Sequence, residues 1–206
     1  MKKIKILIAD DHAVVRMGLA SLFSAKPDLE VVGQAKNGEI AVRDAKRLQP
    51  DVVIMDLMMP GMDGIETTSA IRASIPNAKI LVLTSCTASD SIARALDAGA
   101  QGAIMKSAEN SELIAAIRKI ASGSNYISPE IKTLMDNDPP LTALTGRQTE
   151  ILQSLTRGLT NKDIAKQLGL SIRSVEDHVD RILERIGAAN RAEAVAIALR
   201  KHLLKI

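Results

Sequence analysis

Residues 51–64 read DVVIMDLMMPGMDG and place a carboxylate directly behind a short apolar run. The run is Val52 to Met55, and Asp56 ends it. A nearly continuous apolar run of this length is typical of a strand in a parallel sheet that is covered on both faces. A charge at the end of such a strand needs a partner at the sheet edge. The stretch therefore predicts a buried strand with a polar site at its carboxyl end.

Similar apolar runs alternate with amphipathic segments through the first 122 residues. Val15, Leu19 and Leu22, for example, fall on one stripe of a helix. The order βαβαβαβαβα predicts an α/β fold with a doubly wound parallel sheet of five strands. The predicted strands span residues 4–9, 30–35, 51–55, 79–84 and 102–106.

Polar side chains end four of the five predicted strands. Asp10 and Asp11 follow the first strand, Asp56 the third and Thr84 the fourth, and Lys106 ends the fifth. Each alone would be an ordinary turn or capping residue, but ligands of open parallel sheets bind at the carboxyl ends of the strands. Three carboxylates so close repel one another unless a cation joins them, and Mg²⁺ favours carboxylate, water and phosphate oxygens. The pattern predicts a Mg²⁺ site suited to phosphoryl transfer to an aspartate.

The stretch SGSNYISPEIKTLMDNDPP, residues 122–140, interrupts this rhythm with Gly, Ser, Asn and three prolines. Proline disfavours helix in the residue before it. We therefore expect a linker over 123–140, between a first domain at 1–122 and a second at 141–206.

The second domain is predicted to be entirely helical. Thr145 with Gln148, and Thr160 with Asp163, have the spacing of a capping box, and Ser171 is placed to cap a third helix. The second and third helices are joined by LGLS, residues 168–171, as in a helix-turn-helix. A helical hairpin that serves structure alone remains the alternative.

Composition narrows the range of functions. Hydrophobic residues make up 46% and aromatic residues 1%, so a core can form but stacking on bases is not expected. A single cysteine, no membrane-length apolar run and no signal-peptide pattern favour a cytoplasmic protein. Residues 1–136 contain 16 basic and 16 acidic residues, so the net charge of +3 lies wholly in the last third and hints at an acidic partner. The histidines are far apart in sequence, so His178 is expected to pack or cap a helix rather than bind metal.

Residues 1–122 resemble the receiver domain of two-component response regulators. The DD pair, the run D-x-x-M-P-G-x-D-G, the strand-end threonine and the lysine after the fifth strand carry the resemblance. The family often has an aromatic residue three positions before that lysine, where this chain has Ala103. The resemblance implies a phosphoacceptor (Asp56), a direct Mg²⁺ ligand (Asp11), a mostly water-mediated one (Asp10), a carbonyl ligand (Met58) and two contacts to the phosphoryl oxygens (Thr84, Lys106).

Residues 144–195 resemble the LuxR-type helix-turn-helix of the NarL/FixJ family in L-T-x-R, G-L-T-N-K-D-I-A, L-S-x-x-S-V and R-x-E-A-V. The third helix, expected over 172–186, turns its apolar stripe toward the core and its polar face toward a major groove. Between residues 171 and 187 it carries three arginines against four acids, which opposes attraction to phosphates. The candidate DNA contacts are Lys162, Lys166, Arg173, Ser174, Glu176, Asp177, Arg181 and Arg185.

These patterns favour a response regulator that is not an enzyme. A sensor histidine kinase would phosphorylate Asp56, and phosphorylation would switch dimerisation and binding to double-stranded promoter DNA. The last helix, expected over 191–203 with Ala192, Val195, Leu199 and Leu203 on one stripe, would pair two protomers, with the receiver as a second pairing surface. In one alternative, the acidic third helix binds a protein instead of DNA. A phosphatase of the haloacid dehalogenase type has little support, because it needs an aspartate where position 58 is methionine.

Overall fold

The computed structural model describes residues 3–140, 144–201 and 203. The chain divides into two compact units, Met1–Asp138 and Pro139–Ile206. Among the described residues, no helix has both the length and the apolar character needed to cross a membrane.

The first unit is built on one parallel sheet. Its strands lie in the order β2-β1-β3-β4-β5-β6, so the order reverses between β1 and β3. β3 pairs with β1 on one side and β4 on the other, and all four of its residues are buried. The strands are β1 (Ile4–Ala9), β2 (Leu29–Ala35), β3 (Val52–Met55), β4 (Ile80–Thr84), β5 (Gly102–Met105) and β6 (Tyr126–Ile127).

Helices cover both faces of this sheet, as the apolar runs predict. One buried cluster joins Phe23 of α1 and Ile117 of α5 to the strands, and another joins Ala41 of α2 and Ile71 of α3 to them. The helices are α1 (Ala13–Ser24), α2 (Gly38–Leu48), α3 (Gly64–Ser74), α4 (Ser89–Asp97), α5 (Asn110–Ala121) and α6 (Pro129–Asn137).

The sheet has six strands instead of the five predicted, and much of the segment predicted as a linker is folded. β6 and α6 both lie within 123–140. Ser128 caps α6 by accepting a hydrogen bond from the Ile131 amide (3.3 Å), and Pro129 stands at the helix start, where its missing N–H costs nothing. Ile131 is completely buried. The reading of 123–140 as a linker was therefore wrong for Tyr126–Asn137, because a cap and a buried isoleucine outweigh the loop-forming residues around them.

The second unit is helical in its described residues. Both predicted capping boxes are present, and Ser171 caps α9 by accepting from the Ser174 amide at 3.0 Å. Gly169, at φ 66°, ends α8 in the left-handed conformation that the short connection requires. The helices are α7 (Gly146–Thr156), α8 (Asn161–Leu168), α9 (Ile172–Ile186) and α10 (Arg191–Arg200).

The apolar stripe of α9 faces the core as predicted, with Val175, Val179, Ile182 and Ile186 all buried. α10 ends at Arg200, before the predicted limit of 203. Its buried side is formed by Ala194, Ile197 and Ala198. From the predicted stripe, two residues are partly buried against the core (Val195, Leu203) and two are exposed (Ala192, Leu199).

Candidate functional site

The strand ladder brings four predicted site residues to one edge of the sheet. The Asp56 amide donates to the Ala9 carbonyl at 2.8 Å, which sets the end of β3 beside the end of β1. The Lys106 amide donates to the Thr84 carbonyl at 2.8 Å, which sets the end of β5 beside that of β4. Asp10, directly after Ala9, therefore lies next to Asp56.

Lys106 joins the two buried carboxylates. Its Nζ lies 2.8 Å from Asp10 Oδ2 and 3.0 Å from Asp56 Oδ2. Both aspartates are only 2% exposed. Burial alone lowers the pKa of Lys106, but hydrogen bonds to the two carboxylates outweigh it and leave that pKa above its ordinary value. The lysine therefore stays charged beside the acids.

Asp56 has one oxygen that the protein leaves unused. Asp56 Oδ1 is buried and has no hydrogen-bond partner within the described part of the chain. Burial raises the pKa of the Asp56 carboxyl, and Lys106 offsets this only in part. A buried, unsatisfied oxygen of this kind is costly unless another group binds it. The arrangement thus has an open acceptor next to a fixed cation.

Asp11 and His12 complete the acidic edge. One ligand atom from each of Asp10, Asp11, His12 and Asp56 lies within 4.8 Å of all the others. His12 Nδ1 is 2.8 Å from Asp11 Oδ1, and the His12 amide donates to Asp10 Oδ1 at 2.8 Å. His12 was not among the predicted site residues, because a single histidine just before a helix is ordinarily a surface or capping residue. Its place directly after the DD pair is the signal that could have indicated it.

Three carboxylates with one lysine leave a net charge of −2, which a divalent cation balances. The oxygen donors, their spacing and the unused Asp56 oxygen all fit Mg²⁺, which favours carboxylates and retained waters. Asp10, Asp11 and Asp56 are the residues that would hold the ion.

Thr84 and Met58 occupy different environments near this edge. Thr84 is fully buried, and its Oγ1 accepts from the Cys86 amide at 2.9 Å, which orders the turn after β4. Met58 is 49% exposed on the loop after β3, whereas Met59 is buried. The roles expected for the Thr84 hydroxyl and the Met58 carbonyl remain predictions.

The loop after Asp56 is held by a close backbone approach. The Gly64 amide donates to the Leu57 carbonyl at 3.0 Å. A Cβ on Gly64 would lie 2.0 Å from the Asp56 carbonyl oxygen and 2.7 Å from the Leu57 Cα. Only glycine therefore lets α3 begin this close to the end of β3.

In the second unit, most candidate DNA contacts lie on exposed helix faces. The α9 side chains form no ion pair among the described residues. Arg185 differs from the other candidates because its side chain has a partner within the unit. Its guanidinium donates to Gln148 Oε1 at 2.8 Å and ties α9 to α7. The exposed candidates are Lys162, Lys166, Arg173, Glu176, Asp177, Arg181 and Arg185, and Ser174 is half-buried.

Two family models match the chain, one in each unit. Residues 6–118 match the response regulator receiver domain. Residues 142–198 match the bacterial regulatory proteins of the luxR family.

Relatives match over nearly the whole length. The chain is 39% identical to the transcriptional regulatory protein LiaR of Bacillus subtilis, over 98% of this chain and 99% of the relative. It is 37% identical to the response regulator protein VraR of Staphylococcus aureus, over 98% and 99%. The crystal structure of ChrA, the response regulator of a heme-sensing two-component system, covers 99% of this chain and 100% of its own, with a TM-score of 0.58 and 34% identity.

Proposed function

Because the chain belongs to the two-component response regulators that join a receiver domain to a LuxR-type DNA-binding domain, we propose that Asp56 is its phosphoacceptor. A sensor histidine kinase supplies the phosphoryl group, and the modified receiver promotes dimerisation and binding to promoter DNA. The observation that carries the proposal is the unused, buried Oδ1 of Asp56 beside the Lys106 ammonium.

The chemistry follows from the two oxygens of Asp56. Lys106 holds Oδ2, while Oδ1 is available to attack phosphorus in line with the leaving group. A bond forms between Asp56 and phosphorus as the bond from phosphorus to the kinase's histidine nitrogen breaks, and that nitrogen takes a proton from solvent. Negative charge grows on the equatorial oxygens, where the fixed Lys106 charge stabilises it without rearrangement.

Asp10, Asp11 and Asp56 would hold Mg²⁺, with the Met58 carbonyl as a further ligand. The bound ion supplies charge neutralisation for the phosphoryl oxygens. In this proposal, Thr84 at the end of β4 donates its hydroxyl to the phosphoryl group. Its oxygen accepts from the Cys86 amide, which leaves the hydroxyl proton free to be donated.

The second unit supplies the DNA contacts. Lys162, Lys166, Arg173 and Arg181 are exposed and offer phosphate or guanine contacts, while Glu176 and Asp177 can accept from cytosine. The alternative, in which α9 binds a protein instead of DNA, has less support, because a relative matched over its whole length is named a transcriptional regulatory protein.

Mass spectrometry after incubation with acetyl phosphate and Mg²⁺ tests the phosphoacceptor directly. The wild type should gain one phosphoryl group, and Asp56→Asn should gain none. Asp51→Asn is the matched control, since this aspartate lies at the opposite end of β3 and accepts from the Lys5 amide. Phosphoryl uptake by the Asp56 variant, or none by the wild type, would refute the assignment.

A further inference from the structure

Helix α9 begins with a large apolar side chain that lies outside the core. Ile172 is the first residue of α9 and is 47% exposed. Ser171 fixes the helix start, because it accepts a hydrogen bond from the Ser174 amide at 3.0 Å. The core of the second unit is formed from α9 by other residues, among them Val175 and Val179. Ile172 is therefore available to a molecule that contacts the start of α9.

Glu176 lies one turn further along the same row of α9. Side chains four residues apart are neighbours on a helix surface, with Cβ atoms about 5–6 Å apart. Glu176 is exposed, and its carboxylate has no hydrogen bond or ion pair with any residue that the structure describes. The row therefore presents an apolar surface and an open acceptor side by side.

The charge of α9 points to selection of bases rather than attraction to the DNA backbone. An exposed carboxylate weakens binding to every sequence, because the phosphates of DNA repel it. A base that donates a hydrogen bond to the carboxylate offsets this repulsion, so the acid discriminates between sequences. Lys162 and Lys166 of α8 are exposed and supply the positive charge for the backbone.

The major groove offers a distinct partner to each of the two side chains. Thymine presents a methyl group, which an apolar side chain contacts favourably. Cytosine presents an amino donor without a neighbouring acceptor, whereas guanine presents only acceptors and adenine has an acceptor beside its amino group. A carboxylate in the groove therefore favours cytosine.

We infer that Ile172 and Glu176 are specificity-determining residues, with Ile172 on the methyl group of a thymine and Glu176 on the amino group of a cytosine. The first residues of a recognition helix lie nearest the base edges. Bases are spaced by about 3.4 Å along a strand, so side chains one helical turn apart can reach neighbouring base pairs. The inference rests on the proposed function, because it names the bases that the DNA-binding unit recognises.

Selection from a pool of randomised duplexes tests the inference on the full chain after treatment with acetyl phosphate and Mg²⁺. The wild type should enrich a site that contains a C·G pair beside a T·A pair. Glu176→Gln should prefer A·T at the C·G position, because glutamine pairs with N6 and N7 of adenine. Exchanging that C·G pair for A·T should weaken wild-type binding roughly 5–100-fold and should strengthen binding of the variant.

Deoxyuridine in place of the thymine isolates the methyl group that Ile172 contacts. This exchange should weaken wild-type binding about fourfold, whereas Ile172→Ser should bind both duplexes equally. Asp180→Asn is the matched control, since this exposed acid lies on the same row but further from the helix start. It should keep the base preferences of the wild type at both positions.

The outcomes separate this inference from the proposed function. Unchanged base preferences in Glu176→Gln would overturn the inference, and so would an equal loss on deoxyuridine for Ile172→Ser and the wild type. In either case, a wild type that still enriches a duplex site leaves the proposed function standing. A phosphorylated wild type that binds no duplex would refute the proposed DNA binding itself.

Discussion

At the scale of single residues, Asp56 carries a charge that its surroundings make costly. Burial raises the pKa of its carboxyl above the ordinary value of 3.8, with Lys106 only partly opposing this. An acid whose pKa is higher in the folded state stabilises the fold when protonated, and that contribution is lost as the pH rises from 3.8 through the raised value. Free of metal at neutral pH, the first unit therefore bears an unfavourable charge at this position.

We therefore expect Asp56→Asn to be more stable than the wild type at neutral pH in chelator-treated buffer. The difference should shrink as the pH falls toward 3.8. Urea denaturation across this pH range measures it. Added Mg²⁺ should stabilise the wild type more than the variant, because it binds the folded state through the carboxylate. A variant less stable than the metal-free wild type at neutral pH would contradict this account.

A second prediction at the scale of single residues concerns Gly64. Gly64→Ala should destabilise the first unit by about 1–3 kcal/mol, because its Cβ would overlap the backbone of Asp56 and Leu57 and neither can move freely. Gly18→Ala is the matched control, since a Cβ there, inside α1, meets nothing within 4 Å. That control should be neutral or stabilising by about 0.5–1 kcal/mol. Chemical denaturation compares them, and equal stabilities for the two variants would count against a tight approach at Gly64.

At the scale of elements, α6 belongs to the first unit. Ile131 is fully buried in one cluster with Ala103 and Ile92, so Ile131→Ala should cost about 2–5 kcal/mol. Thr133→Ala, on the exposed side of the same helix, should cost far less. Hydrogen exchange should report the loss at β5 and β6 as well as at α6. A loss of protection restricted to α6 would mean that the helix does not support the sheet.

Helix α9 yields a prediction about charge. Glu176 and Asp180 are exposed and form no ion pair among the described residues. Both therefore repel the phosphates of bound DNA. The Coulomb energy of two unit charges about 4 Å apart in water is about 1 kcal/mol, so each neutral amide should raise affinity for random duplex roughly fivefold. Fluorescence anisotropy over a salt series measures this for Glu176→Gln and Asp180→Asn. Glu130→Gln, an exposed acid of α6, should change nothing, and no gain in the α9 variants would place those acids away from DNA.

The sequence predicts strongly patterned elements well and short ones poorly. β1 has the predicted bounds because its mostly apolar run of six residues is readily recognised as a strand. α9 has the predicted bounds because its apolar stripe lies between a capping residue, Ser171, and a terminating glycine, Gly187. The acids and lysine of the site were predictable because each ends a buried strand. β6 has only two residues and so has no readable period, and its pairing depends on distant β5. His12 directly follows the DD pair in sequence, but only the folded structure shows that its ring contacts both carboxylates.

At the scale of the whole molecule, dimerisation should depend on the exposed side of α10. Leu199 is 43% exposed although it is a large apolar residue, while Ala194 and Ile197 already serve the core. Leu199→Glu should keep the phosphorylated protein monomeric in sedimentation equilibrium and weaken DNA binding, with phosphoryl uptake unchanged. Arg200→Gln, at the neighbouring exposed position, is the control. If the Leu199 variant still dimerises normally, the dimer interface lies elsewhere than on the exposed side of α10.

The small side chain at position 103 has a consequence for related sequences. Ala103 is completely buried, its carbonyl accepts from the Ser128 amide at 3.0 Å, and it shares a cluster with Ile131. An aromatic ring at position 103 would need space that α6 fills in this structure. Residue size at this position and the presence of a docked helix after the fifth strand should therefore vary together during evolution. In homologues with an aromatic residue at this position, the helix after the fifth strand should be detached from the sheet or packed differently against it.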